Sequence, residues 1–176
     1  PLSCAIAFDS TVSLGSAFGV TTLTPSFTNT AGDILFVEAL LDETGDLVTG
    51  VTYNGVSMTQ VGTDVSQYRA YLYVLLSPAT GAHDVVITRS NSGNLYGVAA
   101  SYSGAATSGQ PDASGTTTVT GATHISKSIT SVADNCWTVC ALSAVNSSLA
   151  LGTPDSGTTL RQAGSFGVSA LFDSNA

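Results

Sequence analysis

Three observations predict an all-β fold, an antiparallel β-sandwich of jelly-roll type. The apolar segments are strand-sized, and Gly, Pro and Asn turn chemistry separates them. No window repeats apolar residues at i, i+3, i+4 and i+7 through three turns, so no long amphipathic helix is expected. About nine or ten short strands joined by turns of antiparallel type suit a two-layer sandwich. With 176 residues, the chain has the length of one domain, 1–176, with 1–10 as a candidate N-terminal arm. Folding at that size buries about 70% of the unfolded surface, enough for a core without metals or disulfides as staples.

Each element has its own justification. Cys4–Phe8 alternates weakly, and Val20–Phe27 is a Thr-rich strand broken by Pro25, which suits a sheet edge. Ile34–Leu41 is almost continuously apolar, as a strand buried on both faces would be, and Asp42–Gly50 is a polar loop. Within Val51–Thr59, Asn54-Gly55 separates two β-type arms. A type I′ turn needs positive φ at both central residues, so this dipeptide predicts a hairpin. Arg69–Leu76 is a second buried strand, and Ser77–Gly81 is the turn after it. His83–Arg89 is a strand, Asn91–Asn94 a turn, Leu95–Tyr102 a strand, and Gly104–Gly121 a long Ser/Thr/Gly loop. His124–Val132 alternates as a strand does, Asn135–Val145 is apolar around Trp137, and Thr158–Ala163 and Ser165–Phe172 complete the set. No strand returns after Val168–Phe172, so an open sheet edge is expected there, covered by a neighbouring subunit.

Composition narrows the function classes. Charged residues are 9% of the chain, against about 25% in an average soluble protein, and the net charge is -8. The four basic residues, Arg69, Arg89, Lys127 and Arg161, are isolated from one another. A surface that tracks phosphates needs clustered cations, so nucleic-acid binding and attraction to an anionic membrane are excluded. Hydrophobic residues at 43% exclude disorder. No apolar run reaches the 18 residues of a transmembrane helix candidate, and no basic segment followed by an apolar one marks a signal peptide. The start at Pro1 suits removal of an initiator Met and equally a processed chain. Cys136 and Cys140 share a predicted strand about 13 Å apart, too far to bridge each other. Cys4 pairing with Cys136 or with Cys140 stays open beside the reading of buried free thiols.

The chemistry-bearing residues are few. Asp155-Ser156-Gly157 superficially resembles a nucleophile turn, but the chain has no Gly-x-Ser-x-Gly elbow and nothing places His83 or His124 beside Ser156. Turn chemistry explains the triplet, and both histidines read as strand-end or turn-flanking residues. Asp42, Glu43 and Asp46 around Gly45 offer hard oxygens of the kind calcium takes, without EF-hand spacing. A solvated acidic loop is the competing reading. Glu38 is the sole acid inside an apolar strand; with no partner for acid catalysis, it is expected at an outward-facing rim. Trp137 is expected in the core. Tyr68, Tyr71 and Tyr73 lie close together, and Tyr71 and Tyr73 share a strand face, as a stacking surface, an interface patch or half-buried core would require. Asn146-Ser147-Ser148 fits a glycosylation sequon that a Ser-rich chain also produces by chance. No catalytic set and no cofactor site emerge, so an enzyme is not expected.

One succession of motifs is more specific. Val51-Thr52-Tyr53-Asn54-Gly55-Val56-Ser57-Met58-Thr59-Gln60-Val61-Gly62 is followed by Tyr71-Leu72-Tyr73, by Pro78-Ala79-Thr80-Gly81 before Val85-Val86-Ile87-Thr88, and by Ala99-Ala100-Ser101-Tyr102-Ser103-Gly104. It resembles a β-sandwich module of tailed-phage structural proteins that also occurs in bacterial surface and secreted proteins. The resemblance implies a fold and little about activity, because these residues are turns and strand cores. Together with the low charge, it leads to the expectation of a structural virion protein, a capsid decoration (cement) or other head or tail surface subunit. Its partners would be itself, as a homo-oligomer such as a trimer, and a major capsid or tail protein. The alternative is an extracellular adhesion or carbohydrate-binding module using Tyr68, Tyr71 and Tyr73 or the acidic loop. Expected contact regions are Pro1–Ser10, the Gly104–Gly121 loop and the C-terminal edge.

Overall fold

The computed structural model describes residues 5–43, 45, 47–64, 69–120, 125–133, 136–144, 154–164 and 169–174. They form β1 (Ala7–Leu23), β2 (Ser26–Asn29), β3 (Ile34–Leu41), β4 (Val48–Tyr53), β5 (Val56–Ser57), β6 (Thr59–Thr63), β7 (Arg69–Leu76), β8 (Gly81–Ser103), β9 (Thr138–Ser143), β10 (Thr159–Ala163) and β11 (Ser169–Ser174). Every pairing is antiparallel and no helix occurs among the described residues, so the all-β antiparallel class is as expected. A jelly-roll order is a finer description than this strand order establishes.

The 23-residue β8 is the spine. Along one edge run β1 and then β2, from Ala7↔Ser103 to Asn29↔Gly81. Along the other run β3 and then β4, from Ile34↔Tyr102 to Tyr53↔Val85. β3 also pairs with β7 in full register, Ile34↔Leu76 to Leu41↔Arg69, and β7 pairs with β6. β5 pairs with β4, and only Met58 separates β5 from β6. One short stretch of chain therefore joins the two ends of the sheet, which bends over itself into a nearly closed barrel. Sheets that turn such corners do so at bulges and bends. Gly15 (φ 80) and Gly19 (φ 64) sit at the register shifts of β1, where a left-handed residue accommodates the extra length.

The core follows from this wrapping. Leu35, Val37, Ala39 and Leu41 point inward with Leu14, Val51, Tyr53, Tyr71, Tyr73, Val85, Ile87 and Leu95. The alternate residues Ile34 and Phe36 point the other way, against Val98, Ala100, Tyr102 and Leu171. The layer that covers this face of β3 and β8, and that supplies Leu171, is a three-stranded sheet in the order β10-β11-β9. All eight residues of β3 are buried because both of its faces are covered.

The predicted hairpin is present. Asn54 (φ 49) and Gly55 (φ 74) both take positive φ between Tyr53↔Val56 partners. Ile34–Leu41 and Arg69–Leu76 are strands at the expected bounds. Four expectations are corrected. Asn91–Asn94 is no turn, since β8 runs through it and Gly93 still pairs with Val20. Residues 9–19, between the two N-terminal strands that were expected, belong to β1, because glycine bulges bend a strand without ending it. Residues 125–132 form no ladder among the described residues despite their alternation. The last strand is no open edge: β11 lies between β10 and β9, so the cover expected from a neighbouring subunit comes from this chain itself.

Candidate functional site

The acidic loop lies where the long strands bend, opposite residues 90–94 of β8. Arg89, with a fully buried side chain, donates from Nη2 to Glu43 Oε2 at 3.0 Å and from Nη1 to the Asn94 carbonyl at 2.6 Å. The guanidinium thus spans the bend of its own strand. A Cβ on Gly93 would collide with both Arg89 and Glu43, which explains a glycine at that position without any turn. Asp42 Oδ2 accepts from Asn94 Nδ2 at 2.8 Å and from the Tyr96 hydroxyl at 3.3 Å. Asp42 and Glu43 therefore brace the corner through fixed partners. Asp46 lies outside the described residues, among which no group of three His, Cys, Asp or Glu side chains gathers to hold a metal.

The tyrosines separate into two cases. Tyr71 and Tyr73 are each 4% exposed and belong to the inner core, so they offer no stacking surface. Alternation was read correctly, but the shared face is the interior one. The Tyr73 hydroxyl donates to Gln60 Oε1 at 3.3 Å, and burial raises its pKa. Tyr68 lies outside the described residues.

Glu38 reverses its expectation. It is fully buried between β3 and the outer sheet, not at a rim, because its face of β3 is the one that β9–β11 covers. Neither carboxylate oxygen has a well-formed hydrogen bond, and the Ala170 backbone beside it only partly opposes the effect of burial. Burial pushes its pKa well above the usual carboxylate range. A second buried acid was missed. Asp173, 1% exposed, accepts from Arg161 Nε at 2.6 Å, and the guanidinium also stacks over Phe8 at 4.6 Å from the ring centroid. Burial and then the neighbouring Asp173 charge push the Tyr102 hydroxyl far up. A single acid in an apolar strand, Leu171-Phe172-Asp173, was the available signal.

The remaining candidates that the structure describes make local contacts. Asp155 closes its own turn, with its carbonyl accepting the Thr158 amide at 3.0 Å and Gly157 at φ 87. His83 contacts the Thr80 carbonyl through Nε2 at 3.0 Å and stacks edge-on against Tyr53. His124, Cys4 and 145–153, which include the sequon, lie outside the described residues. Trp137 packs edge-on against Tyr102, half-buried at the margin of the core, where a place within it was expected. Cys136 and Cys140 are free, and neither is buried: Cys140 is exposed on β9 and Cys136 half-exposed before it.

One depression of about 360 Å³ lies at the hairpin tip, lined by Thr52, Asn54, Gly55, Ala82, His83, Asp84 and Val86. It is open and polar. No helix of the described residues is long and apolar enough to cross a membrane. Compared with known proteins, the chain matches no family model, no curated protein and no solved structure.

Proposed function

We propose that this protein is a structural subunit of a virion, a capsid decoration or other head or tail surface protein that works through contacts between subunits. The reading includes a jelly-roll-type sandwich as its scaffold and a homo-oligomeric working state. One observation carries the subunit role: residues 10–32, which take in the outer strand β1 from Ser10 onward and leave out only its first three residues, Asp9 among them, contain no charged side chain, and Phe18 on that strand is 57% exposed. Sheet edges on monomeric proteins are usually blunted by charge. The viral setting rests on the resemblance across Val51–Gly104. The burial of Tyr71 and Tyr73 and the internal pairing of Asp42 and Glu43 favour it over a carbohydrate-binding module built on those residues.

With charge scarce, binding would come from buried area and shape complementarity. Solution mass by light scattering over a concentration series tests the reading. A defined oligomer, insensitive to calcium, is expected. A monomer throughout the series overturns the homo-oligomeric reading, and a glycan-dependent mass change would favour the extracellular alternative.

A further inference from the structure

Of the seven large apolar side chains exposed among the described residues, four lie on residues 112–133: Val119 (45%), Ile125 (41%), Ile129 (40%) and Val132 (84%). Two extended segments carry them. Asp112 Oδ2 accepts the amides of Val132 and Ala133 at 3.0 and 3.1 Å, and a Cβ on Gly115 would meet Lys127 and Ile129. Segments 112–120 and 125–133 therefore lie side by side and antiparallel. The first is also held against the wrapped sheet: Thr118 Oγ1 donates to Asp64 Oδ1 at 2.9 Å, and Thr116 Cγ2 is 3.6 Å from where a Gly62 Cβ would stand. The pair thus lies against β6 through side-chain contacts. Its residues are strand formers, Thr116-Thr117-Thr118-Val119-Thr120 and Ile125, Ile129 and Val132 in the second segment, yet neither segment forms a ladder among the described residues. Residues 125–133 are exposed throughout.

We infer that segments 112–120 and 125–133 are the self-association element of this protein, and that 125–133 completes its ladder against the same segment of a second copy. The inference rests on the subunit reading above and names its interface. Charge selects the occupant. Residues 104–133 carry one aspartate and one lysine, so the whole net charge of -8 lies elsewhere on the chain. Two copies of an acidic protein repel each other least where the local net charge is zero. A basic partner would instead be drawn to the acidic remainder. An exposed, alternating strand whose single charge, Lys127, is balanced by Asp112 on the segment beside it is a pairing template, and antiparallel self-pairing satisfies its amides and carbonyls while burying Ile125, Ile129 and Val132.

The test uses the full chain, with light scattering and amide hydrogen exchange at low and high concentration. The wild type should assemble, and amides of 125–133 should gain protection as it does. The double substitution Ile125→Ser/Ile129→Ser should weaken assembly at least tenfold while leaving the far-UV spectrum, and the melting temperature at concentrations too low for assembly, unchanged. Val56→Ser, which removes an apolar side chain 53% exposed at the hairpin, should assemble as the wild type does. Assembly that survives the double substitution, or unprotected 125–133 amides in the oligomer, overturns this interface and leaves the subunit reading standing. A wild type that stays monomeric overturns both.

Discussion

The two faces of β3 bury their residues against different chemistry. Inward, Leu35, Val37, Ala39 and Leu41 meet an apolar core with buried tyrosines along its lining. Outward, Ile34 and Phe36 meet Leu171 and Trp137, but Glu38 and the Asp173–Arg161 pair lie in the same layer. Apolar burial contributes on both sides at about 25 cal/mol per Å². The outer side also takes the Asp173–Arg161 pair out of water within the layer itself, and that cost is recovered only where hydrogen bonds replace hydration. The inner core therefore holds the wrapped sheet together, while the docking of β9–β11 rests on a smaller margin.

The largest expected effects come from breaking each layer at one apolar residue. Leu35→Ala removes a fully buried side chain from the inner core, and a loss of about 2–5 kcal/mol of global stability is expected. Leu171→Ala removes a fully buried side chain from the outer layer at similar cost, but spent on undocking the small sheet. Hydrogen exchange separates the two outcomes: the first substitution should release protection everywhere, the second preferentially in β9–β11. Uniform loss of protection in both variants would show that the layers unfold as one unit. Next comes Arg161→Met, which strands Asp173 without its partner. A cost toward the lower end of about 3–5 kcal/mol is expected, since the Arg161 side chain is 19% exposed, and chemical denaturation measures it.

Glu38 sharpens the comparison in the opposite direction. Its pKa is raised in the folded protein, so the native state keeps a proton that the unfolded chain releases above the ordinary glutamate range near 4.5. Stability should then fall as pH rises from that range, by up to about 1.4 kcal/mol per pH unit, and level off once the folded-state pKa is passed. Glu38→Gln should abolish the slope, matching the wild type near pH 4 and exceeding it at pH 8. Denaturation at the two pH values checks this. Equal pH dependence in both proteins would mean that the carboxyl is hydrated in solution.

The same contrast marks what the sequence made legible. Ile34–Leu41, Arg69–Leu76 and the Asn54-Gly55 hairpin are encoded by neighbours along the chain, through apolar runs and a turn dipeptide. The path of β8 through Asn91–Asn94 is not, because Asn, Ser and Gly serve a bend as well as a turn, and what decides is Arg89 reaching across to Glu43, 46 residues away. Alternation in residues 125–132 gave the faces of a strand but could not supply a partner for it. The acidic residues Asp42 and Glu43 were visible as a cluster. Their use was hidden, since Asn94 and Tyr96 lie 52 and 54 residues from Asp42. Glu38 and Asp173 were hidden for a related reason: a lone acid in an apolar strand looks the same at a rim and beneath a second sheet.

The smallest effect separates the corner of the wrapped sheet from both of its cores. Glu43 is 44% exposed in its pair with Arg89, so the Coulombic part of that contact is screened by solvent. Glu43→Gln keeps a hydrogen-bond acceptor facing Nη2 and leaves the Asn94 carbonyl on Nη1. A loss of about 0–1 kcal/mol is therefore expected, with weak salt dependence. Gly93→Ala should cost more than Glu43→Gln, because a Cβ there displaces the guanidinium itself and not just its charge partner. Equilibrium denaturation of the two variants at low and high salt orders them. If Glu43→Gln proved the more damaging, the bend of β8 would depend on the charge of the pair, and not on the guanidinium filling the space that Gly93 leaves open.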